Sequence, residues 1–177
     1  MKGAAWPLSV RVEPRQELVA GHPVGGAHVL CASATVSTAH GTRVQVLVAD
    51  LAKESDLADV EAVLRRDESI RVLVNNAGVA RFSPFAASKG PDANSQIALN
   101  ITALTRLTHA VLPGFVARDA GAVINIASVL AVHALPISSV YSATKAYVLQ
   151  FSRGLQGELA NTDGRFCGYR SLKSSDG

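Results

Sequence analysis

Short apolar runs at three places along the chain predict buried strands. They cover 43–49 (RVQVLVA), 71–75 (RVLVN) and 122–127 (AVINIA), and each is rich in valine or isoleucine. Such short apolar runs, ending in polar or small residues, are typical of strands that are covered on both faces. A shorter run, Leu18-Val19-Ala20, is a further candidate strand. The pattern predicts a parallel sheet.

Stretches with the period of a helix lie between and after these runs. The first can be capped by Ser55, and its apolar positions share one face: Leu57, Val60 and Leu64. The second covers about 92–118, where Pro113 is expected to bend or end the helix. The third covers about 138–159.

Alternation of buried strands with amphipathic helices predicts an α/β fold with a doubly wound parallel sheet. Ligands bind such sheets at the carboxyl ends of the strands, where Asp50, the segment Asn75 to Gly78, and Ser128 all stand. We expect residues 17–160 to form this domain, between an irregular segment 1–16 and a polar tail 161–177.

Composition narrows the function classes. The chain has 177 residues, of which 48% are hydrophobic, so it can bury a sizeable core. The net charge is only +3 and the basic residues are scattered, which argues against a nucleic-acid partner. The longest apolar region, 122–137, is interrupted by polar residues and is too short for a membrane span.

The cysteines and histidines indicate neither a disulfide framework nor a metal site. Cys31 and Cys167 form no disulfide framework and are expected to be reduced thiols. None of the histidines has the spacing of metal ligands, so no metal site is expected. The first fifteen residues contain no sustained apolar stretch, and we therefore expect a cytoplasmic protein.

The strongest candidate chemistry lies in the third predicted helix. Tyr141 and Lys145 are four residues apart and therefore share one helix face. A free tyrosine, with a pKa near ~10, is a poor acid–base group at neutral pH, but a nearby ammonium favours its phenolate form. Taken alone, the pair is a weak signal, because an ordinary helix face with an exposed lysine can carry it by chance.

Further polar residues stand where they could complete a site. Ser128 follows a predicted strand and can hold a substrate carbonyl or satisfy local backbone groups. Asn100 falls inside the second predicted helix, where an asparagine is mildly unfavourable and could instead bind water through freed backbone groups. The segment Asn75 to Gly78 can bring backbone close to a ligand or form a plain turn.

The stretches VLVNNAG, ALN, GAVINIAS and YSATK, in this order and spacing, resemble the short-chain dehydrogenase/reductase family from about His40 to Asn161. The resemblance implies a Rossmann-like sheet and hydride transfer between NAD(H) or NADP(H) and a small-molecule carbonyl or alcohol. It further implies four catalytic roles: acid–base for Tyr141, ribose binding for Lys145, substrate orientation for Ser128 and support of a proton relay for Asn100.

The same resemblance implies a cofactor site and a partner. Asp50 and Leu51 would lie beside the adenine, and Asn76, Ala77 and Gly78 would line the cofactor together with Tyr141 and Lys145. The preference between NAD and NADP is not readable from this chain. The family's paired long helices, here at about 92–118 and 138–159, imply a homo-oligomer.

The segment 21–27, GHPVGGA, is the candidate for the family's glycine-rich pyrophosphate loop. Gly21 and Gly25 keep the first spacing of the pattern T-G-x-x-x-G-x-G, and Ala27 takes the position of its third glycine. A helix at AHVLCASATVST would follow.

Because only 22 residues separate Ala27 from Asp50 and a βαβ unit takes ~30 or more, we expect an early strand–helix pair to be missing. The family's C-terminal strands are also expected to be missing, which indicates a truncated, spliced or frame-shifted member.

The same residues are compatible with two alternatives to the enzyme. One is a non-catalytic family remnant that acts as an interaction partner or has no independent function, which a titration with NADH and NADPH would reveal. The other is a serine hydrolase built on Ser128. It is disfavoured because the flanks of this serine lack the G-x-S-x-G pattern.

Overall fold

The computed structural model describes residues 16–24, 27–30, 47–160 and 165–170. The strands are β1 (Gln16–Val24), β2 (Ala27–Leu30), β3 (Leu47–Val48), β4 (Ile70–Asn75), β5 (Ala122–Ile126) and β6 (Arg165–Arg170). The α-helices are α1 (Glu54–Arg66), α2 (Gly90–Ile97), α3 (Leu104–Ala117) and α4 (Ser139–Glu158). A π-helical turn, Ala98–Ala103, joins α2 to α3.

The strands form one sheet in the order β3-β2-β1-β4-β5-β6. Neighbouring strands from β1 through β4 and β5 to β6 are parallel, and β4 and β5 pair Asn75 with Asn125 at their carboxyl ends. The parallel α/β architecture expected from the alternation of strands and helices is therefore confirmed. The predicted runs 71–75 and 122–127 become β4 and β5 almost residue for residue.

The first part of the sheet differs from the prediction. Ala27–Leu30 was expected to begin a helix, but these residues form β2, which pairs antiparallel with β1 from Val24 and Ala27 onward. Only two residues, Gly25-Gly26, separate the strands, and a glycine pair is a typical hairpin connection. The predicted parallel strand 43–49 is represented by β3, which is antiparallel to β2; residues 43–46 lie outside the described residues.

The expected polar tail is wrong for Arg165–Arg170, which form β6 parallel to β5. These residues therefore supply one of the C-terminal strands that are expected from the sequence to be missing. An edge strand has one side without a strand neighbour. It therefore tolerates polar residues better than a central strand does, and the polar sequence of β6 is compatible with a strand.

Helix α1 starts earlier than its predicted cap. Ser55 lies inside the first turn, because the N–H of Leu57 already donates to the carbonyl of Lys53 at 3.0 Å. The carboxylate of Asp56 accepts the backbone N–H of Asp50 at 2.9 Å and so fixes the loop before the helix. The predicted apolar face is confirmed, and its residues are buried: Leu57, Val60 and Leu64.

The predicted helix 92–118 is divided into α2, the π-helical turn and α3. Pro113 does not end it, since α3 continues to Ala117. Helix α4 agrees closely with the predicted 138–159. In the described part of the chain, no helix combines the length and the apolar character needed to cross a bilayer.

A core of buried apolar side chains fills the space between β4, β5, α1 and α3, with Phe115 of α3 among its largest members. Gly121 precedes β5 with a φ of +155°, a conformation that side chains rarely adopt. A Cβ at this position would lie 2.4 Å from Cγ of Phe115. The turn into β5 therefore requires glycine.

Four buried polar side chains form a hydrogen-bonded chain from α3 across β4 and β5 to α4. Nδ2 of Asn75 donates to Oγ1 of Thr108 and to Oδ1 of Asn125, each at 2.9 Å. Nδ2 of Asn125 donates to Oγ of Ser152 at 2.9 Å. All four are at most 3% exposed, so these bonds fix the two helices to the two strands.

An ion-pair network ties α1 to α3. Nε of Arg106 lies 2.6 Å from Oε1 of Glu61, and its Nη1 lies 2.6 Å from Oε2 of Glu54. Nη2 of Arg65 also reaches Oε2 of Glu61 at 3.1 Å. The hydrogen bonds from Arg106 are the largest cause that lowers the pKa of Glu61 below its usual value.

Glu61→Gln is expected to lower the free energy of unfolding by about 1–2 kcal/mol at pH 7, because it removes a buried charge-assisted pair. The folded-state pKa of Glu61 is depressed, so its stabilisation is present above the unfolded value of 4.5 and is lost as pH falls through the folded pKa. Urea unfolding of both proteins from pH 7 to pH 3 should therefore show the difference shrinking below about pH 4.5.

Glu54→Gln is the matched control, since this carboxylate binds the same arginine but is 79% exposed and should matter less. An equal effect of the two substitutions would contradict the importance given to the buried pair.

Candidate active site

The candidate site lies at the carboxyl ends of β4 and β5. The segment Asn76 to Gly78 follows β4, and Ser128 follows β5 after one residue, Ala127. Helix α4 brings Tyr141 and Lys145 to the same edge, where the ammonium of Lys145 binds the carbonyl of Ile126. Three chain segments that are far apart in the sequence therefore meet where ligands of parallel sheets bind.

Tyr141 is half-buried in the first turns of α4. Its ring meets the ring of Phe82 edge-on, with a centroid distance of 5.7 Å. Burial raises the pKa of the Tyr141 phenol, and a hydrogen bond with Ser128 acts in the opposite direction. The phenol is therefore protonated at neutral pH and has a hydroxyl neighbour that stabilises its anion.

Ser128 has a second partner in the backbone. Its Oγ accepts the N–H of Leu130 at 3.2 Å and so caps the 3₁₀ turn Val129–Ala131. The alternative prediction, that Ser128 satisfies a local backbone group, is therefore confirmed. The same hydroxyl also lowers the pKa of Tyr141, so the local bond does not withdraw it from the site.

Lys145 is 6% exposed, and its Nζ donates to the carbonyl of Ile126 at 2.7 Å. The Nζ lies 5.9 Å from the centroid of the Tyr141 ring. Burial lowers the pKa of Lys145 to about 8, which still leaves most of the ammonium charged at pH 7. A buried positive charge at this distance favours the phenolate of Tyr141 when it forms.

Asn100 is buried in the π-helical turn, and its amide makes three hydrogen bonds. Oδ1 accepts the N–H of Val79 at 2.8 Å, and Nδ2 donates to the carbonyl of Val79 at 2.9 Å. Nδ2 also donates to Oγ1 of Thr144 at 3.0 Å. Asn100 thus joins the segment after β4 to α4, and π-helical turns of this kind are frequent at functional sites.

Gly78 allows the segment after β4 to come close to these groups. A Cβ at this position would lie 3.3 Å from Oδ1 of Asn100 and 3.5 Å from Nζ of Lys145. Asn76, Ala77 and Gly78 are partly exposed, so backbone at this edge of the sheet is accessible to a ligand.

Two of the other expected cofactor residues, Asp50 and Leu51, are not brought to this cluster. Asp50 follows β3, which is three places from β4 in the sheet, and its Oδ1 accepts the N–H of Ala52 at 3.0 Å. The side chain of Leu51 is in the hydrophobic core and is only 2% exposed. Gly21 lies in β1 two residues after Val19, which pairs with Val74 of β4, and Gly25 lies outside the described residues. Their role in binding a dinucleotide stays a prediction.

Sequence reasoning missed two residues at the site. Thr144 lies inside the YSATK stretch and bonds to Asn100, and its hydroxyl at i+3 from Tyr141 could have drawn attention to it. Phe82 contacts Tyr141 but carries no sequence signal beyond following Gly78 closely.

Exposed apolar side chains gather on two loops beside Tyr141. We call them the apolar rim, and its members are Phe82, Phe85, Val129, Val132, Leu135 and Ile137. The N–H of Ser83 donates to the carbonyl of Ile137 at 2.9 Å and joins the two loops. Concentrated apolar exposure of this kind is typical of a surface that binds a ligand or partner.

A family model described as "short chain dehydrogenase" matches residues 26–166 of the chain. Among curated proteins, the very-long-chain 3-oxoacyl-CoA reductase of Anas platyrhynchos is 36% identical over 128 residues, which is 70% of this chain and 41% of that protein. The family resemblance stated from the motifs is therefore confirmed.

Solved structures agree with this assignment. A short-chain dehydrogenase from Sphingobium yanoikuyae in complex with NADPH has a TM-score of 0.73 and 40% identity, covering 78% of this chain and 55% of that one. The bulky-bulky ketone specific alcohol dehydrogenase from Comamonas testosteroni has a TM-score of 0.73 and 34% identity, covering 77% and 55%. The chain thus spans between 41% and 55% of the length of these three proteins.

Proposed function

Because the chain belongs to the short chain dehydrogenase family, we propose that it is an NAD(P)-dependent oxidoreductase that interconverts a carbonyl and an alcohol. The observation that carries this proposal is the meeting of Tyr141, Ser128 and Lys145 at one edge of the sheet. A protonated phenol, a hydroxyl and a buried ammonium are the groups needed to bind a carbonyl and supply its proton.

Each of these residues has a distinct part in the proposed reaction. Bound NAD(P)H supplies the hydride. Ser128 and the phenol of Tyr141 hydrogen-bond the substrate oxygen, and Tyr141 donates its proton to that oxygen as charge develops there. The ammonium of Lys145, 5.9 Å from the tyrosine ring, stabilises the phenolate that remains. Asn100 holds the segment after β4 against α4.

The residues present fit the ribose of a nicotinamide cofactor. An ammonium has three N–H donors, and within the described residues that of Lys145 donates one, to the carbonyl of Ile126. The remaining donors can bind ribose hydroxyls. Gly78, where a Cβ would crowd Oδ1 of Asn100 at 3.3 Å, keeps the backbone of Asn76 to Gly78 close enough to line the cofactor.

The apolar rim supports a substrate with apolar groups beside its carbonyl. Phe82 reaches the ring of Tyr141, so apolar groups on the substrate would lie against the rim while its oxygen faces the phenol. Two relatives point in the same direction by their names, one a very-long-chain 3-oxoacyl-CoA reductase and one an alcohol dehydrogenase specific for bulky-bulky ketones.

NADPH titration followed by nicotinamide fluorescence, and NADPH oxidation with a series of ketones, test the proposal. Phe82→Ser is expected to lower kcat/KM for a bulky apolar ketone by about tenfold or more, since burying a phenylalanine is worth about 1.5–3 kcal/mol. A small polar ketone should be affected little. Val116→Ser is the control, because Val116 is also apolar and exposed but lies on α3 outside the rim.

Three results would count against the proposal. Turnover of small polar ketones in preference to bulky ones contradicts the substrate class only. Equal effects of the Phe82 and Val116 substitutions contradict the role of the rim. Absence of NADPH and NADH binding contradicts the enzyme itself and favours the alternative, a non-catalytic family member that acts as an interaction partner.

A homo-oligomer through α3 and α4 is the remaining part of the proposal. The rings of Tyr147 and Phe151 on α4 stack with a centroid distance of 5.7 Å and are only partly buried. The hydroxyl of Tyr147 lies 2.9 Å from Oγ1 of Thr105 on α3, so this aromatic pair lies beside both helices. A second copy of the chain would cover it. Cytoplasmic location stays a prediction.

A further inference from the structure

Thr144 precedes Lys145 in α4 and is 1% exposed. Its Oγ1 accepts a hydrogen bond from Nδ2 of Asn100 at 3.0 Å and donates one to the carbonyl of Tyr141 at 2.8 Å. The first partner lies in the π-helical turn, and the second belongs to the residue that carries the reacting phenol. One hydroxyl therefore joins the π-helical turn to the first turns of α4.

The amide of Asn100 has no donor left for a substrate. Both N–H groups of Nδ2 are used, one on the carbonyl of Val79 and one on Thr144, and Oδ1 accepts the N–H of Val79. The side chain thus acts as a connector between the segment after β4 and Thr144. Without the threonine hydroxyl, one N–H group would be left unpaired at a site that is closed to solvent.

We propose that Thr144 is a positioning residue, whose hydroxyl holds the Tyr141–Lys145 turn of α4 against Asn100 and so sets the reactive arrangement of the phenol and the ammonium. Its effect on catalysis rests on the proposed function, whereas its effect on the placement of Lys145 does not. Displacement of reacting groups by about 1 Å can cost about a hundredfold in rate.

Another threonine supplies a closely matched control. Thr108 of α3 is also 1% exposed, accepts a hydrogen bond from an asparagine amide at 2.9 Å, and donates to a carbonyl of its own helix at 2.8 Å. It lies in the buried chain with Asn75, on a different helix from Tyr141. Thr108→Val and Thr144→Val therefore remove the same kind of buried hydroxyl, and only the second removes it at the site.

Thr144→Val is expected to lower kcat at least tenfold while KM for NADPH changes by less than threefold. Thr144→Ser, which keeps the hydroxyl, should retain at least half of the wild-type kcat. Thr108→Val should lower Tm by about as much as Thr144→Val does, while its kcat stays within twofold of the wild type. Equal losses of kcat in the two valine variants, or failure of serine to restore kcat, would overturn the proposal.

A second measurement needs no turnover. NMR titration of ¹⁵N-labelled lysine, with the signal of Lys145 assigned through Lys145→Arg, should show its pKa rise towards the ordinary value in Thr144→Val. The loosened turn would admit water to the ammonium, and neither Thr144→Ser nor Thr108→Val should show the rise. An unchanged pKa in Thr144→Val would overturn the positioning role. If wild-type protein reduces no carbonyl, the proposed function fails and this titration alone decides the role of Thr144.

Discussion

Tyr141→Phe is expected to lower kcat by about a thousandfold, while the variant folds and binds NADPH like the wild type. The substitution removes only the phenolic hydroxyl, and the ring can still meet that of Phe82 edge-on. Because burial raises the pKa of Tyr141, the wild-type hydroxyl carries its proton at neutral pH and can donate it. Stopped-flow or steady-state oxidation of NADPH with a bulky apolar ketone measures the loss.

Tyr147→Phe is the matched control for this experiment. Tyr147 lies on the same helix, and its hydroxyl is 2.9 Å from Oγ1 of Thr105, so the substitution also removes a hydrogen-bonded phenol. Its kcat should stay within about twofold of the wild type because it contributes no proton to the site. If Tyr141→Phe kept more than a tenth of the wild-type kcat, the proton would come from another group and the assignment of Tyr141 would be wrong.

Gly121→Ala is expected to lower the free energy of unfolding by about 3 kcal/mol or more. The added Cβ would lie 2.4–2.8 Å from three ring atoms of Phe115, a residue that is 1% exposed and cannot move without disturbing the core. The φ of +155° adds backbone strain, since an alanine rarely adopts it. Urea unfolding followed by far-ultraviolet circular dichroism measures the change.

Gly154→Ala provides the opposite outcome from the same chemical change. Gly154 lies inside α4, and nothing stands within 4 Å of a Cβ built there. Alanine is a better helix former than glycine by about 0.8–1.0 kcal/mol, so the free energy of unfolding should rise. Should both variants lose stability to the same extent, the crowding at Phe115 would not be the cause of the loss at Gly121.

The central part of the fold and site was predictable because its signals are local. The runs that became β4 and β5 are mostly apolar and rich in valine or isoleucine, and Tyr141 and Lys145 face the same way because α4 repeats every 3.6 residues. Ser128 was found from its place after a strand. These inferences need only the geometry of one element and the rule that ligands bind at the carboxyl ends of parallel strands.

The features that were missed depend on partners distant in the sequence. The bond between Asn100 and Thr144 spans 44 residues, and neither residue identity predicts the other. Strand β6 was read as a tail because its pairing with β5 depends on the sheet rather than on its own composition. The antiparallel pairing of β1 with β2 was missed because it depends on contacts between strands and not on the spacing of glycines.

The buried chain of Thr108, Asn75, Asn125 and Ser152 has a consequence for how the molecule opens. If α3 or α4 separated from the sheet, a buried asparagine amide would lose a hydrogen-bond partner without access to water. Separation of either helix therefore destabilises both strands. The two helices and two strands should therefore unfold as one cooperative unit. Since Tyr141, Lys145 and Ser128 are all carried by that unit or directly follow it, the site should be lost in one step rather than residue by residue.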